Sequence, residues 1–328
     1  MSEAAQANDQ ADIGRLKNFP ITFFAIALGF AGLTLAAQKT EEIYEISRAV
    51  STVLLGVSTA LFAVIGFFYV AKILRAPDNV TAEWHSPVKI NFFPLVAKVL
   101  LVLSIIFLSR NMAVSKYLWY AGTALQFIAS LAILSAWIHH THFRIEHLTP
   151  GWFIPIVGSV IIPIAGVRHG FVDLSWFFFS VGLLFWLALF IVVFYRMIFH
   201  PPIVQKLLPT LFILFAPPAI AFIAYSKLTG HLDPFGRILF YTSLFLFMLV
   251  LCRPGIFLKL KFYLSWWAYS FPMAAITLAS IQMYHLTGSL VYRYLAAFQL
   301  VLLIVIVAVL TYLTIKNIAG RRICVEES

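Results

Sequence analysis

The sequence predicts an all-α polytopic membrane protein. The chain of 328 residues has a mean hydropathy of +0.94, and charged residues make up only 11% of it. Soluble domains contain about 25% charged residues, and a chain of this size could not bury so much apolar surface in water. Apolar runs long enough to cross a bilayer recur along the whole chain. These observations together place the protein in a membrane.

The apolar runs predict ten transmembrane helices. Each is close to or above the roughly 18 residues that a span requires, except the short run at 237–252. The loops are short, so consecutive helices pair into five helical hairpins. We expect a transmembrane domain at 20–316, between a cytoplasmic N-terminal segment, 1–19, and a cytoplasmic C-terminal tail, 317–328. The ten runs lie at about 20–37, 48–74, 87–109, 115–138, 150–167, 174–199, 207–226, 237–252, 260–286 and 291–315.

Prolines recur in the first helix of each predicted hairpin. Proline removes a backbone donor and its ring clashes with the preceding turn, so a span tolerates it where neighbouring helices or a water-filled cavity satisfy the freed carbonyl. The spacing of about 60 residues suggests an internal repeat. We therefore predict that the five odd-numbered helices are kinked and form an inner ring inside the even ones. The prolines are Pro20, Pro94, Pro155, Pro209 and Pro272, with second prolines at Pro163 and Pro217.

The distribution of basic residues predicts the orientation. Of the 23 lysines and arginines, 14 fall on the side of the two termini and 8 on the opposite side. Cytoplasmic loops carry the excess of lysine and arginine. Both termini are therefore expected in the cytoplasm, with the protein in the plasma membrane, which is the inner membrane of a bacterium.

The acidic residues limit what the protein transports. All 13 carboxylates fall outside the predicted spans, and Lys98 is the one charged residue near the middle of a span. Proton pumps and cation carriers keep Asp or Glu within the membrane as relays or ligands. A pathway without them suits anions or neutral solutes. For Lys98 two interpretations stay open: a charge that attracts anions in the pore, or a lysine that snorkels or lies in a protomer interface.

No enzyme is expected. The histidines at His139, His140, His142 and His147 form a single cluster, whereas membrane desaturases use several histidine boxes. A nucleotide-binding loop, a nucleophile elbow and a zinc motif are all missing from the sequence. Cys252 and Cys324 are far apart and suggest neither a disulfide nor a metal site. We expect no cofactor, no metal ion and no nucleic-acid partner.

One stretch carries a family resemblance. Phe262, followed by the run Trp266-Trp267-Ala268-Tyr269-Ser270-Phe271-Pro272-Met273, resembles the ninth helix of the tellurite-resistance/dicarboxylate transporter family. That family includes the slow-type anion channels of plant guard cells and the yeast malate permease. The segment from His200-Pro201-Pro202 to Ala216-Pro217-Pro218 is similar to the seventh-helix region of the same family.

The resemblance implies an architecture and a gate. It implies ten helices with quasi-fivefold symmetry, a central pore in each protomer, and a homotrimer. It also implies that Phe262 is the phenylalanine that occludes the pore. The expected function is passage of small monovalent anions, with tellurite or C4-dicarboxylates as further candidates. The alternative is a proton-coupled carrier of C4-dicarboxylates such as malate, or an efflux protein for tellurite and other toxic anions.

Overall fold

In the computed structural model the described residues are 14–140, 143–252, 255 and 261–324. Every regular element among them is helical. Most of the predicted N-terminal segment 1–19, His142 and the end of the predicted tail 317–328 lie outside the described residues. The α-helices are α1 Phe24–Tyr44, α2 Ala49–Arg75, α3 Pro77–His85, α4 Leu95–Phe107, α5 Met112–His139, α6 Phe153–Val157, α7 Ile162–Gly166, α8 Val172–Phe199, α9 Ala216–Thr229, α10 Pro234–Leu251, α11 Ser270–Thr287 and α12 Leu290–Ala319.

Eight helical segments among the described residues are long and apolar enough to cross a membrane. Two of the ten predicted spans, 150–167 and 260–286, are not among the eight. The first is the 17-residue segment Pro150–Gly166, which is interrupted by a 3₁₀ turn at Gly158–Ile161. In the second, α11 begins only at Ser270, after the 3₁₀ turn Leu264–Tyr269. The count of ten spans therefore stays a prediction.

Each proline-bearing segment begins with 3₁₀ geometry before or around its α-helix. Such turns are tighter than the α-helix and are used in short pieces, and proline cannot donate the i→i−4 hydrogen bond that an α-helix needs. The proline pattern thus has a direct local consequence at the start of all five segments. The 3₁₀ turns are Ile21–Phe23, Lys89–Phe92, Pro150–Trp152, Gln205–Leu214 and Leu264–Tyr269.

The proline-bearing helices are buried, whereas the second helix of each predicted hairpin is largely exposed. In Ile21–Tyr44, Lys89–Phe107 and Gln205–Thr229, 78% of the most apolar stretch is buried inside the protein. In the other five candidate spans the buried share is 22–39%. The described proline-bearing segments therefore lie inside, and the even-numbered helices expose their apolar side chains on the outside, as lipid-facing helices do.

Paired inner and outer helices are joined by buried polar contacts. Thr34 in α1 lies 2.9 Å from Ser58 in α2. Ser243 in α10 donates a 2.8 Å hydrogen bond to the carbonyl oxygen of Phe215, and the Trp267 indole donates to Thr314 in α12 at 2.9 Å. In lipid such contacts stabilise helix pairs, because a lone polar group finds no water there. They fix each inner segment to an outer helix.

Two ends of the bundle can now be distinguished. We call the end that carries Phe19 and Ala319 the terminal end, and the opposite end, where α1, α4, α9 and α11 finish, the hairpin end. The first helix runs to Tyr44, past the apolar run 20–37. Glu41 and Glu42 therefore lie in its last turns at the hairpin end, not outside the helix as the apolar run indicated. The helix can continue because its last turn lies outside the apolar layer, and charged side chains are tolerated there.

Candidate functional site: a central path

One cavity lies in the terminal half of the bundle. It has a volume of about 90 Å³ and is lined by residues from all five proline-bearing segments. Its wall is almost wholly apolar, with Lys98 as its one charged lining residue among those described. We call it the terminal-end cavity. One representative residue from each segment is Ala25, Leu95, Val157, Ala216 and Ala268.

A second, larger cavity opens toward the hairpin end. It has a volume of about 570 Å³ and is again lined by all five proline-bearing segments. We call it the hairpin-end vestibule. Its deep part is apolar, and its mouth carries the charged side chains Lys39, Glu42 and Lys227. The second helix of each predicted hairpin contributes no lining residue to either cavity. These outer helices are α2, α5, α8, α10 and α12.

The two cavities meet at three shared side chains. Ile161, Ile220 and Phe271 line both of them. Phe271 is the second residue of α11 and comes directly before Pro272, and Ile161 ends the 3₁₀ turn in the third segment. These side chains offer no hydrogen-bond donor, so an anion at this point would lose its water shell without replacement. We call this set the constriction.

Lys98 is buried in the wall of the terminal-end cavity. Its side chain is held by two neutral groups: the ammonium donates to the carbonyl oxygen of Ile154 at 2.5 Å and to Oε1 of Gln126 at 3.3 Å. A side chain at Gly158 would collide with the end of Lys98, so the glycine leaves the room that the lysine occupies. Only 5% of Lys98 is exposed, and the residue lines the cavity, so its side chain lies inside the bundle and not on its outer surface.

The kink around Pro155 creates the polar neighbourhood of Lys98. The Pro155 carbonyl accepts from the side-chain amide of Gln126 at 2.5 Å and from the Ser130 hydroxyl at 2.7 Å. These carbonyls are freed where the third inner segment changes to 3₁₀ geometry. Side chains of α4 and α5 satisfy them, as required of irregular backbone in a membrane.

The predicted prolines occupy different positions relative to the path. Pro217 and Pro272 line the terminal-end cavity. Pro94, Pro155 and Pro209 are buried but are not among its lining residues, and Pro20 is half-buried. A lipid-facing position for the buried prolines would have contradicted the inner ring. The prolines shape the wall mainly through the backbone geometry that they impose.

Phe262 lies in a different setting from the one expected. It precedes the 3₁₀ turn Leu264–Tyr269 in non-helical backbone, so it does not share a helical face with Pro272. Its ring is half-buried and packs edge-on against Trp266, with centroids 5.8 Å apart. Phe262 is not among the described residues that line either cavity. Its gate role stays a prediction.

Sequence reasoning missed the three constriction residues. Phe271 was present in the most specific motif of the chain, in the Phe-Pro pair that begins α11, and its place directly before a kink was the available signal. Ile161 lies two residues before Pro163, and Ile220 three residues after Pro217. Isoleucines are too frequent in apolar runs for that spacing to single them out.

This geometry defines a class of protein: a helical membrane protein whose proline-kinked segments surround a central path. Comparison with known families agrees. The family model SLAC1, described as voltage-dependent anion channel, matches residues 18–315. The chain belongs to this family, which confirms the resemblance seen in the sequence. Members of this family are anion channels or transporters and not enzymes.

Individual relatives come from plants and bacteria. The S-type anion channel SLAH2 of Arabidopsis thaliana is 30% identical over 275 residues, covering 81% of this chain and 53% of the plant protein. The guard cell S-type anion channel SLAC1 of the same plant is 26% identical over 277 residues, covering 81% and 50%. The tellurite resistance protein TehA homolog of Haemophilus influenzae is 28% identical over 283 residues, covering 82% and 83%. The chain thus spans about half the length of these plant channels.

Proposed function

We propose that the protein is a channel that passes small monovalent anions through the central path and closes at the constriction. The observation that carries the proposal is that two cavities, lined by the same five segments, meet at Ile161, Ile220 and Phe271. A path with one apolar narrow point is the arrangement that gates by dewetting. Anion transport in general is what membership of the family supports.

The charge of the wall favours anions over cations. Among the described lining residues, the bases are Lys98 in the terminal-end cavity and Lys39, Lys227 and His285 in the vestibule. Glu42, at the mouth, is the one carboxylate in the same set. A cation pathway would require carboxylates or carbonyl rings along its length. Anions would pass according to how easily they lose water at the constriction.

The position of the gate is part of the proposal. Phe271 contributes to both cavities, whereas Phe262 contributes to neither among the described residues. Its phenyl ring is large enough to fill a narrow point, and rotating it off a staggered position costs about 0.5–1.5 kcal/mol. We therefore place the gate at Phe271. Phe262, which the family resemblance suggested, remains the competing position at the terminal end.

A second candidate function is coupled transport of C4-dicarboxylates, or efflux of tellurite. The observation in its favour is a relative named as a tellurite resistance protein, which is 28% identical over an alignment that covers 82% of this chain. Proton coupling requires a group in the path that gains and loses a proton, and Lys98 is the buried candidate. The absence of a carboxylate deep in the described lining favours the passive channel.

The finer architecture is proposed on the same grounds. Ten spans in five hairpins with quasi-fivefold symmetry would account for the five 3₁₀-initiated inner segments. The lysine and arginine bias supports a cytoplasmic terminal end in a bacterial inner membrane. A homotrimer is proposed from the family resemblance. Native mass spectrometry in detergent is expected to give three times the 37.0 kDa chain mass.

Flux measurements in liposomes test the function. Purified protein should carry chloride and nitrate down their gradients, with no flux of potassium and no dependence on a proton gradient. Patch recordings should show currents far above the turnover of a carrier. Accumulation of malate driven by a proton gradient, at carrier rates and without unitary currents, would contradict the channel and support the second candidate.

A further inference from the structure

The mouth of the hairpin-end vestibule holds an uneven set of charges. Lys39 of α1 and Lys227 of α9 line it on separate inner helices. Glu42 of α1 lines the same mouth. Two lysines thus face one carboxylate around a cavity of about 570 Å³. The vestibule mouth is a basic site at the entrance of an apolar funnel.

Glu42 neutralises only part of this positive charge. Its carboxylate pairs with Lys39 at 2.5 Å and lies 3.8 Å from Arg48. Lys227 has no carboxylate within ion-pair distance in the part of the chain that the structure describes. Its ammonium instead donates to a neutral acceptor, Oε1 of Gln282, at 3.3 Å. The positive charge of Lys227 is therefore available to a mobile anion.

Gln282 adds a second donor at the same place. Because its Oε1 atom accepts from Lys227, the N–H groups of its amide remain for another acceptor. Gln282 belongs to α11, the helix that also carries Phe271. Ammonium and amide donors together bind a small anion better than either alone, and both lie above the constriction on its hairpin-end side.

We propose that Lys227 and Gln282 form a capture site for small inorganic anions at the hairpin end, with Glu42 as its built-in competitor. The capture site rests on the proposed channel function. It raises the local anion concentration before the constriction, by the focusing that a charged cleft provides. Glu42 lowers the occupancy because it neutralises Lys39 and Arg48, which otherwise add to the attraction.

Two substitutions should change capture in opposite directions. Lys227→Gln removes the main ligand and should raise the chloride concentration for half-maximal flux from the hairpin end by about threefold or more at low salt. Glu42→Gln removes the competitor and should lower that concentration. Maximal flux should change little in both, since neither residue lies at the constriction. Salt screens exposed charges, so both effects should shrink at high ionic strength.

The measurements use the full chain in liposomes, with chloride and nitrate as probes added on one side. Lys116→Gln is the matched control, because Lys116 is an exposed lysine near the hairpin end that does not line the vestibule. Chloride NMR line broadening of the purified protein measures binding without transport. Weaker broadening in Lys227→Gln, stronger broadening in Glu42→Gln and no change in Lys116→Gln would support the capture site.

Failure of the two proposals can be told apart. If the parent carries no passive anion flux, the channel function is wrong, and the line-broadening series still decides the capture site. If the parent conducts but Lys227→Gln and Glu42→Gln match it in both flux and chloride broadening, the capture site is wrong and the channel stands. Equal loss in the Lys116→Gln control would also overturn the site, since it would show only a general surface-charge effect.

Discussion

At the scale of single residues, the proposed channel depends on the position of one phenyl ring. Phe271 lines both cavities. Phe262 is not among the described residues that line either of them. The family resemblance implies a gate nine residues earlier in the chain than the one that we propose. The two phenylalanines therefore form a natural pair for comparison.

Phe271→Ala should raise the basal anion current by at least about tenfold, equivalent to a barrier lowered by about 1.4 kcal/mol. Removing the ring widens the apolar narrow point and lets water follow the anion. Whole-cell or bilayer current at matched expression measures the effect. Phe262→Ala is the control and should stay near the parent. The reverse result, current from Phe262→Ala and none from Phe271→Ala, would move the gate to the terminal end.

Lys98 is the second residue whose role depends on its surroundings. Lys98→Gln should reduce chloride current several-fold and move the reversal potential in a chloride gradient toward that of a non-selective pore, because the wall loses its buried charge. The neutral side chain keeps a donor for the Ile154 carbonyl. Unchanged reversal potentials together with a lower unfolding temperature would assign Lys98 to bracing the kink instead.

At the scale of elements, buried polar contacts hold the irregular inner segments to their neighbours. One example lies at the terminal end, where the Lys72 ammonium pairs with Glu83 of α3 at 3.0 Å and donates to the Phe19 carbonyl at 2.9 Å. The exposed fractions of the two side chains are 1% and 7%. The Tyr69 hydroxyl donates to the same carboxylate. Lys72 of the second helix is thus joined both to α3 and to the chain just before the first helix.

Breaking this buried pair should destabilise the protein strongly. Lys72→Met leaves the Glu83 carboxylate without its cation, which typically costs about 3–5 kcal/mol. The thermal unfolding temperature in detergent should fall clearly. The double variant Lys72→Met with Glu83→Gln should recover part of the loss, because no buried charge remains unpaired. A single variant that unfolds like the parent would show that water reaches the site.

Helix α10 begins with a pH-sensitive cap. Asp233 accepts hydrogen bonds from the Gly236 backbone at 2.8 Å and from the Tyr225 hydroxyl at 2.5 Å. These two hydrogen bonds hold the pKa of this carboxyl below its usual range. The bond from the Gly236 N–H has the larger effect, and the bond from the Tyr225 hydroxyl comes second. The stabilisation is therefore present above the usual pKa of aspartate, about 3.9, and is lost as the pH falls through the lowered value.

Asp233→Ala should therefore unfold at a lower temperature than the parent near neutral pH, because α10 loses its N-cap. The difference between the two proteins should shrink as the pH falls below about 3.9, because the unfolded parent takes up a proton on this carboxyl first and the native parent follows only at its lower pKa. Thermal unfolding in detergent at several pH values measures it. A difference that grows on acidification would have the wrong sign for this cap.

At the scale of the whole molecule, orientation is the prediction that most affects function. The capture site faces the cell exterior if the terminal end is cytoplasmic. Cys252 follows α10 at the terminal end and is exposed, and Cys324 lies near the C-terminus. A membrane-impermeant thiol reagent added to intact cells should leave both unlabelled. Ser289→Cys, between α11 and α12, should be labelled from outside. Labelling of the native cysteines in intact cells would reverse the orientation.

The sequence by itself determined the class, the membrane location and the division into inner and outer helices. Hydropathy fixes which segments leave water, and proline acts on the backbone of its own turn, so both signals are local. The absence of carboxylates from the apolar runs likewise favoured a pathway for anions or neutral solutes over one for cations. The apolar run did not give the end of the first helix. That helix continues past the apolar layer into the membrane–water interface, with Glu41 and Glu42 in its last turns.

Only the tertiary structure decided which residues meet. Ile161, Ile220 and Phe271 lie on three segments far apart in the chain and line both cavities, which no spacing along the sequence encodes. The same holds for Lys98 on the Ile154 carbonyl and for Lys227 beside Gln282. Side-chain direction follows from how the kinked segments rotate against one another. That rotation is set by packing between helices, and so it is a property of the folded bundle.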